Sequence, residues 1–140
     1  MEASLYSRLG GVDAITAVVR DFEGRAAKDD RINQKFARTD LARLTKEFVD
    51  QVCEATGGPC HYTGRSMKEA HRNMGVTKGE FDAFLEDLVE TLDKFKVGKA
   101  EQNEILSFLR AFQGEIVEGN SSEVGTPLPS SFAPAPALVS

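Results

Sequence analysis

Four side chains here are suited to metal or redox chemistry: the imidazoles of His61 and His71 and the thiols of Cys53 and Cys60. They crowd into one region, which overlaps the stretch TGGPCHYTGRSMKEAHRNMGVTKGEF at 56–81. Gly57, Gly58, Pro59, Gly64, Gly75 and Gly79 break the backbone there, so the imidazoles sit where regular structure is loosest. A zinc site built from all four groups is chemically conceivable, but the spacing matches neither C-x-x-C nor H-x-x-x-H. The attachment pattern C-x-x-C-H fails too, because Gly57 stands where its first thiol belongs. The cysteines are expected as two reduced thiols, since nothing signals secretion, although their separation would let a small loop close.

The two histidines differ in setting. Ser66 and Glu69 have capping-box spacing, and Met67, Ala70, His71 and Met74 follow at i, i+3, i+4 and i+7. His71 therefore shares an apolar stripe with two methionines on a piece of helix too short to stand alone. One reading is a core histidine whose nitrogens find backbone partners. The other is a neutral imidazole in an apolar pocket, the usual axial ligand of a haem iron. Deformable methionines suit a flat ligand, and nine phenylalanines with no tryptophan supply apolar walls. His61, beside Pro59 and Tyr62, reads as solvent-exposed or turn-stabilising.

The elements that must position His71 are helical. Val12, Ile15, Val19, Phe22 and Ala26 form one stripe, opened by Gly10-Gly11. Leu41, Leu44, Phe48, Val52 and Ala55 form a second, with Asp40 as its cap. Phe81, Phe84, Leu85, Leu88, Val89, Leu92 and Phe95 form a third. Thr77 and Glu80 make its capping box, and Val76 and Phe81 its hydrophobic staple. Ile105, Phe108, Leu109, Phe112 and Ile116 form a fourth. Sustained strand-type alternation is absent, so the expected class is all-α.

At 140 residues the chain fits one domain. A net charge of −5 with no basic block disfavours nucleic-acid and anionic-membrane partners. No signal peptide or membrane-spanning run is evident, so a cytoplasmic setting is expected. The last twenty residues hold four of the five prolines and one charged side chain, Glu123. The expected organisation is a folded domain over 1–119 and a disordered Pro/Ser/Ala-rich tail over 120–140.

The run GGPCHYTGRSMKEAHRNMGVTKGEF, with Gly10-Gly11 upstream and Phe36 in INQKFARTD, resembles the group I truncated haemoglobins over about residues 4–118. The resemblance implies a two-over-two helical sandwich around haem b, with paired-glycine turns permitting an abbreviated globin. It implies His71 as the proximal iron ligand. Phe36 would pack against the porphyrin, and Tyr62, Met67, Met74, Val76, Phe81 and Phe84 would line the pocket; each is otherwise plain core. Phe36 and Phe81 are expected to be buried under either reading.

On the distal side the chain departs from that family. Where a tyrosine commonly follows the phenylalanine of the first long helix, this sequence has Phe22-Glu23. Where the second helix often supplies a glutamine, the gap-free register places Phe48, with Leu44 one turn earlier and Glu47 beside it. Lys46 is one position out of register, and a local shift would bring its amine inward. Glu23 is either a surface carboxylate or a distal acid whose pKa burial raises.

The implied function is reversible binding of diatomic gases, oxygen and nitric oxide, with oxygen transport as the role. Nitric oxide dioxygenase-type turnover would need an external reductase, because no G-x-G-x-x-G fingerprint accompanies the domain. A monomer is expected. Two rivals remain at this level: a haem-based redox or gas sensor whose iron is bound by Lys46 or Glu47, and a helical interaction module without cofactor.

Overall fold

The computed structural model describes residues 3–133. Ser4 opens α1 (Leu5–Leu9) by accepting the Ser7 N–H at 3.1 Å. The chain turns at Gly10 and Gly11 with φ of +102° and +84°, a left-handed backbone that glycine adopts without a Cβ clash. Helix α2 (Gly11–Ala27) then buries Ile15, Val19, Phe22 and Ala26, the expected stripe save Val12, which is exposed. A 3₁₀ turn at Asn33–Phe36 leads to α3 (Leu41–Ala55), where Asp40 accepts the Arg43 N–H at 3.2 Å.

The buried line of α3 is Val49 and Cys53 rather than the predicted stripe. Leu44, Phe48 and Val52 stay half-buried, and Leu41 and Ala55 are exposed. Leu44 and Phe48 wall a cavity, so that face of the helix is apolar without being closed.

After α4 (Met67–Ala70) comes α5 (Lys78–Lys94), whose capping box is complete. Thr77 Oγ1 accepts the Glu80 N–H and Glu80 Oε1 accepts the Thr77 N–H, both at 3.0 Å. The Ser66 box is only half formed, because Glu69 takes the Ser66 hydroxyl and not its backbone N–H. Helices α6 (Lys99–Arg110) and α7 (Gln113–Ile116) complete the set. Helix α2 packs on α3 and α5, α5 on α6, α1 on α6, and α4 on α7. The result is two helix pairs, α2–α3 and α5–α6, around a core that includes Phe22, Phe81, Leu88, Leu92 and Ile105. Among the described residues no helix is long and apolar enough to cross a membrane.

The structure corrects two expectations. Cys53 and Cys60 are joined in a disulfide rather than carried as thiols. The Gly57-Gly58 turn folds the chain back over the end of α3, with Gly58 N–H donating to Cys53 O at 2.8 Å. Cys60 thereby packs into the cluster of Ile15, Val19, Val49 and Cys53.

Residues 120–133, expected to be disordered, form a strap along the fold. Gly79 N–H donates to Ser121 O at 3.1 Å, and Gly125 N–H to Arg31 O at 2.6 Å. A Cβ on Gly79 would lie 2.4 Å from Ser122 O, so the strap approaches α5 as closely as glycine allows. Thr126 donates its N–H and its hydroxyl to Glu80 Oε2 at 2.8 and 2.7 Å. Buried Lys35 donates to Thr126 Oγ1 and Pro127 O, and lies 3.6 Å from Glu80 Oε1. Arg38 and Arg65 hold the carbonyls of Pro129 and Ala133, and Phe132 is buried at 4% exposure. Composition misjudged this segment because backbone groups and one buried ion pair hold it, not a stripe of its own. The rest of the predicted tail, 134–140, lies outside the described residues.

Candidate functional site: an apolar cavity facing His71

Ser66 caps α4, and His71 follows as the residue just past the helix end. Its Nδ1 lies 2.8 Å from Met67 O. A carbonyl oxygen can only accept, so Nδ1 carries the hydrogen and the lone pair belongs to Nε2. Burial lowers the imidazole's pKa and keeps it neutral, the form that binds a metal. Glu118 anchors the following turn by accepting the N–H groups of Asn73 and Gly75 at 3.0 and 2.7 Å. The flexible segment seen in the sequence is thus tied down at both ends.

His71 faces a cavity of about 230 Å³ bounded by α2, α3, α5 and the α4 segment. Leu44, Phe48, Tyr62, Met67, Met74, Val76, Phe81 and Phe84 all line it, as does Phe36. Phe36 is half-buried, not buried as expected, because it borders this open space; Phe81 is buried. Phe22 meets Phe48 and Phe84 edge-on, at centroid distances of 5.9 and 4.7 Å, giving one wall a rigid aromatic lining. The Tyr62 hydroxyl donates to Arg65 O, and burial raises its pKa.

The polar groups on the lining are few. Glu23 faces the cavity rather than open solvent. The Thr45 hydroxyl lies 2.6 Å from Glu23 Oε1, whereas Oε2 is buried without a partner. Burial raises the Glu23 pKa, against the opposing pull of Thr45 and Arg20. Glu47 lines the cavity but is ion-paired to Arg43 at 3.0 Å, and Arg43 Nε is itself buried and unpartnered. Lys46 is the one proposed site residue that does not line the cavity. Its amine is exposed and pairs with Asp50 at 2.8 Å, since the regular α3 register turns it outward. His61 is exposed beside Glu54.

Gln51, Arg43, Arg65, Phe112 and Phe132 also line the cavity and were not among the predicted site residues, although Phe112 belongs to the fourth predicted stripe. Gln51 follows Leu44 and Phe48 at i+7 and i+3, so the α3 periodicity contained it. Phe132 belongs to no helical stripe; its one signal is that it is a lone aromatic among the prolines of the tail.

The lining suits a flat apolar group bearing a metal. It has one neutral imidazole with its lone pair on Nε2, aromatic and thioether walls, and few polar side chains. The bacterial-like globin family matches residues 4–118. This chain belongs to that family, among the group 1 truncated haemoglobins. A group 1 truncated hemoglobin of Tetrahymena pyriformis is 38% identical over 101 residues, which is 72% of this chain and 84% of that protein. The GlbN protein of Mycolicibacterium paratuberculosis is 33% identical over 122 residues, 87% of this chain and 90% of that one.

Solved structures agree with the architecture. The Fe(III) form of the Tetrahymena pyriformis truncated hemoglobin superposes with a TM-score of 0.78 at 33% identity, covering 82% of this chain and 98% of its own. The 2/2 hemoglobin of Synechococcus sp., in the cyanomet state with covalently attached heme, gives 0.77 at 34% identity over the same shares. The fold is the two-over-two sandwich of truncated globins. Membership implies haem-based gas binding.

Proposed function

We propose that this truncated haemoglobin holds haem b through His71 Nε2 and binds oxygen and nitric oxide at the haem iron. The observation that carries this reading is the His71 tautomer. Its Nδ1–H is committed to Met67 O, which leaves Nε2 to an apolar cavity walled by phenylalanine and methionine. When bound, haem would supply an iron able to take a diatomic gas. His71 fixes the iron and, through Met67 O, keeps its ring orientation. Met67 and Met74 line the cavity together with His71, and the edge-on contacts of Phe22 with Phe48 and Phe84 give it an apolar aromatic wall. Nitric oxide dioxygenase turnover would take its electrons from a separate reductase.

The sensor reading lacks support in the geometry, since Lys46 is ion-paired in solvent and Glu47 is held by Arg43. The test is titration of the haem-free protein with haemin. One equivalent should produce a Soret band, His71→Gly should abolish the native band, and added imidazole should restore it. An unchanged spectrum in His71→Gly would remove His71 as the ligand.

A further inference from the structure

Residues 59–65 carry two side chains of the cavity lining, Tyr62 and Arg65, yet little besides the disulfide holds them in place. The stretch is pinned at its ends, by Gly58 N–H on Cys53 O at 2.8 Å and by the Ser66 cap of α4. Between those points, among the described residues, no backbone group hydrogen-bonds to the backbone of another element. The Tyr62 hydroxyl donates to Arg65 O within the same loop, so the ring travels with it. Two polar contacts reach outward. His61 lies 3.5 Å from Glu54 in an exposed pair of the kind that holds weakly, and Arg65 donates to Ala133 O on the strap at 3.1 Å. The remaining tether is covalent, the bond from Cys60 to Cys53 on α3.

The two sulfurs differ in access. Cys53 is 0% exposed, whereas Cys60 is half-buried between exposed Pro59 and His61, so a reductant approaches from the side of Cys60. Resting on the haem-binding reading above, we propose that Cys53–Cys60 is a reversible thiol–disulfide site whose substrate is an external dithiol, and that its state sets how firmly the cavity edge holds haem. One thiolate of the dithiol attacks Cys60 Sγ, forming a mixed disulfide and expelling Cys53 as a thiolate that takes up a proton. The second thiol, deprotonated, attacks the dithiol's own bridging sulfur and releases Cys60, which is protonated in turn. The protein bond gains two electrons and two protons, and the dithiol loses both and closes its own disulfide. Residues 59–65 then keep one exposed pair and one strap contact, and the edge formed by Tyr62 and Arg65 loosens. By reciprocity, bound haem must favour the oxidised state by the factor that oxidation favours haem.

The first experiment treats the haem-free full chain with dithiothreitol and maps trypsin cleavage. Cleavage after Arg65 should speed up, while cleavage within α2, after Arg20 and Arg25, stays as it was. Glutathione should be captured as an adduct at Cys60. A bond that dithiothreitol cannot reduce in the folded chain, an adduct at Cys53, or cleavage that rises equally in α2 overturns the site. The second experiment measures haem. Affinity should fall at least about fivefold on reduction, and the dithiol-to-disulfide ratio needed for half-reduction should rise by the same factor when haem is bound. Cys53→Ala/Cys60→Ala should bind haem like the reduced wild type and ignore dithiothreitol, which separates the sulfurs from any action of the reagent on iron. Equal affinity in the two states overturns the coupling. A wild type that takes up no haem in either state sinks the function above and the coupling with it, whichever way the trypsin map reads.

Discussion

The strap offers the most direct test of how the cavity is closed, because Phe132 lines it from outside the span that the globin family matches. In Phe132→Ala, a ring now 4% exposed is lost. A fully enclosed phenylalanine truncated to alanine costs about 3–5 kcal/mol. Two features lower that figure. One side of the ring borders open cavity, so fewer contacts disappear. The strap can also detach locally without unfolding the helices, which caps the loss at its own docking energy. The Arg38 guanidinium lies 5.7 Å from the ring centroid and adds about 0.5–1 kcal/mol at such an exposed site. The net expectation is about 2–3 kcal/mol, or roughly 6–12 °C in Tm for a chain of this size. Urea unfolding of the haem-free protein reads the stability, and haem transfer to an acceptor globin reads the closure, which should be faster in the variant. Deletion after residue 119 should do at least as much, because it also strips Thr126 from the buried Lys35–Glu80 pair. If the deletion matched wild type in both assays, the strap would be no part of the working fold.

Three further outcomes follow from the electrostatics and the covalent link. Asp87 is buried beside Asp29, and burial together with that neighbour pushes its pKa from 3.8 up to about 7, while Arg31 holds Asp29 down at about 2. A raised carboxyl stabilises the fold fully below its unfolded value and loses that stabilisation as pH climbs to its folded value. Asp87→Asn should therefore gain stability over wild type between about pH 4 and 7 and hold it above. About 4 kcal/mol is the ceiling and about half of that the expectation, given Arg31 Nη2 at 3.6 Å from Asp87; Tm profiles that run parallel across that range would refute it. Asp29 works in the opposite direction, with stability present above about 4 and lost towards 2, so acid unfolding of Asp29→Asn should lose that step. Reduction of Cys53–Cys60, which closes a loop with a sequence separation of 7, should cost about 2–3 kcal/mol, read as a lower Tm in reductant that is absent in Cys53→Ala/Cys60→Ala.

Most of the helix scaffold was legible in the sequence because it obeys local rules. The Thr77–Glu80 box and the Asp40 cap are each settled within a few residues and appear where the spacing puts them. Of the α5 stripe, Phe81, Leu85, Leu88 and Leu92 are buried, Phe84 and Val89 are half-buried, and Phe95 falls just past the helix end and is exposed. His71 was legible for the same reason: a histidine at i+4 from one methionine, on a segment too short to hold itself, implies that something else holds it. The hidden parts are those that depend on contacts distant in sequence. The strap's grip joins Glu80 to Thr126 and Lys35 to Pro127, pairings that no local window contains. The disulfide was hidden because spacing allows a bond without requiring one; the backfolded Gly57-Gly58 turn decides it.

The half-buried state of Leu44, Phe48, Phe36 and Phe84 has a physical reason that connects fold to function. A stripe of large apolar groups is expected to vanish into a core, since each one left facing water forgoes about 1.5–3 kcal/mol. Here four such side chains stop short and face the same cavity as His71. The side chains of Glu23 and Arg43, each with one buried unpartnered atom, belong to the same lining. A fold that leaves four large apolar side chains facing one open cavity forgoes several kcal/mol in one place. A flat apolar cofactor is the kind of partner that restores it, by covering the phenylalanines. The haem-free protein should therefore gain markedly in Tm on haemin addition, and far less when His71 is replaced by glycine, since the walls alone would hold the ring without the iron bond.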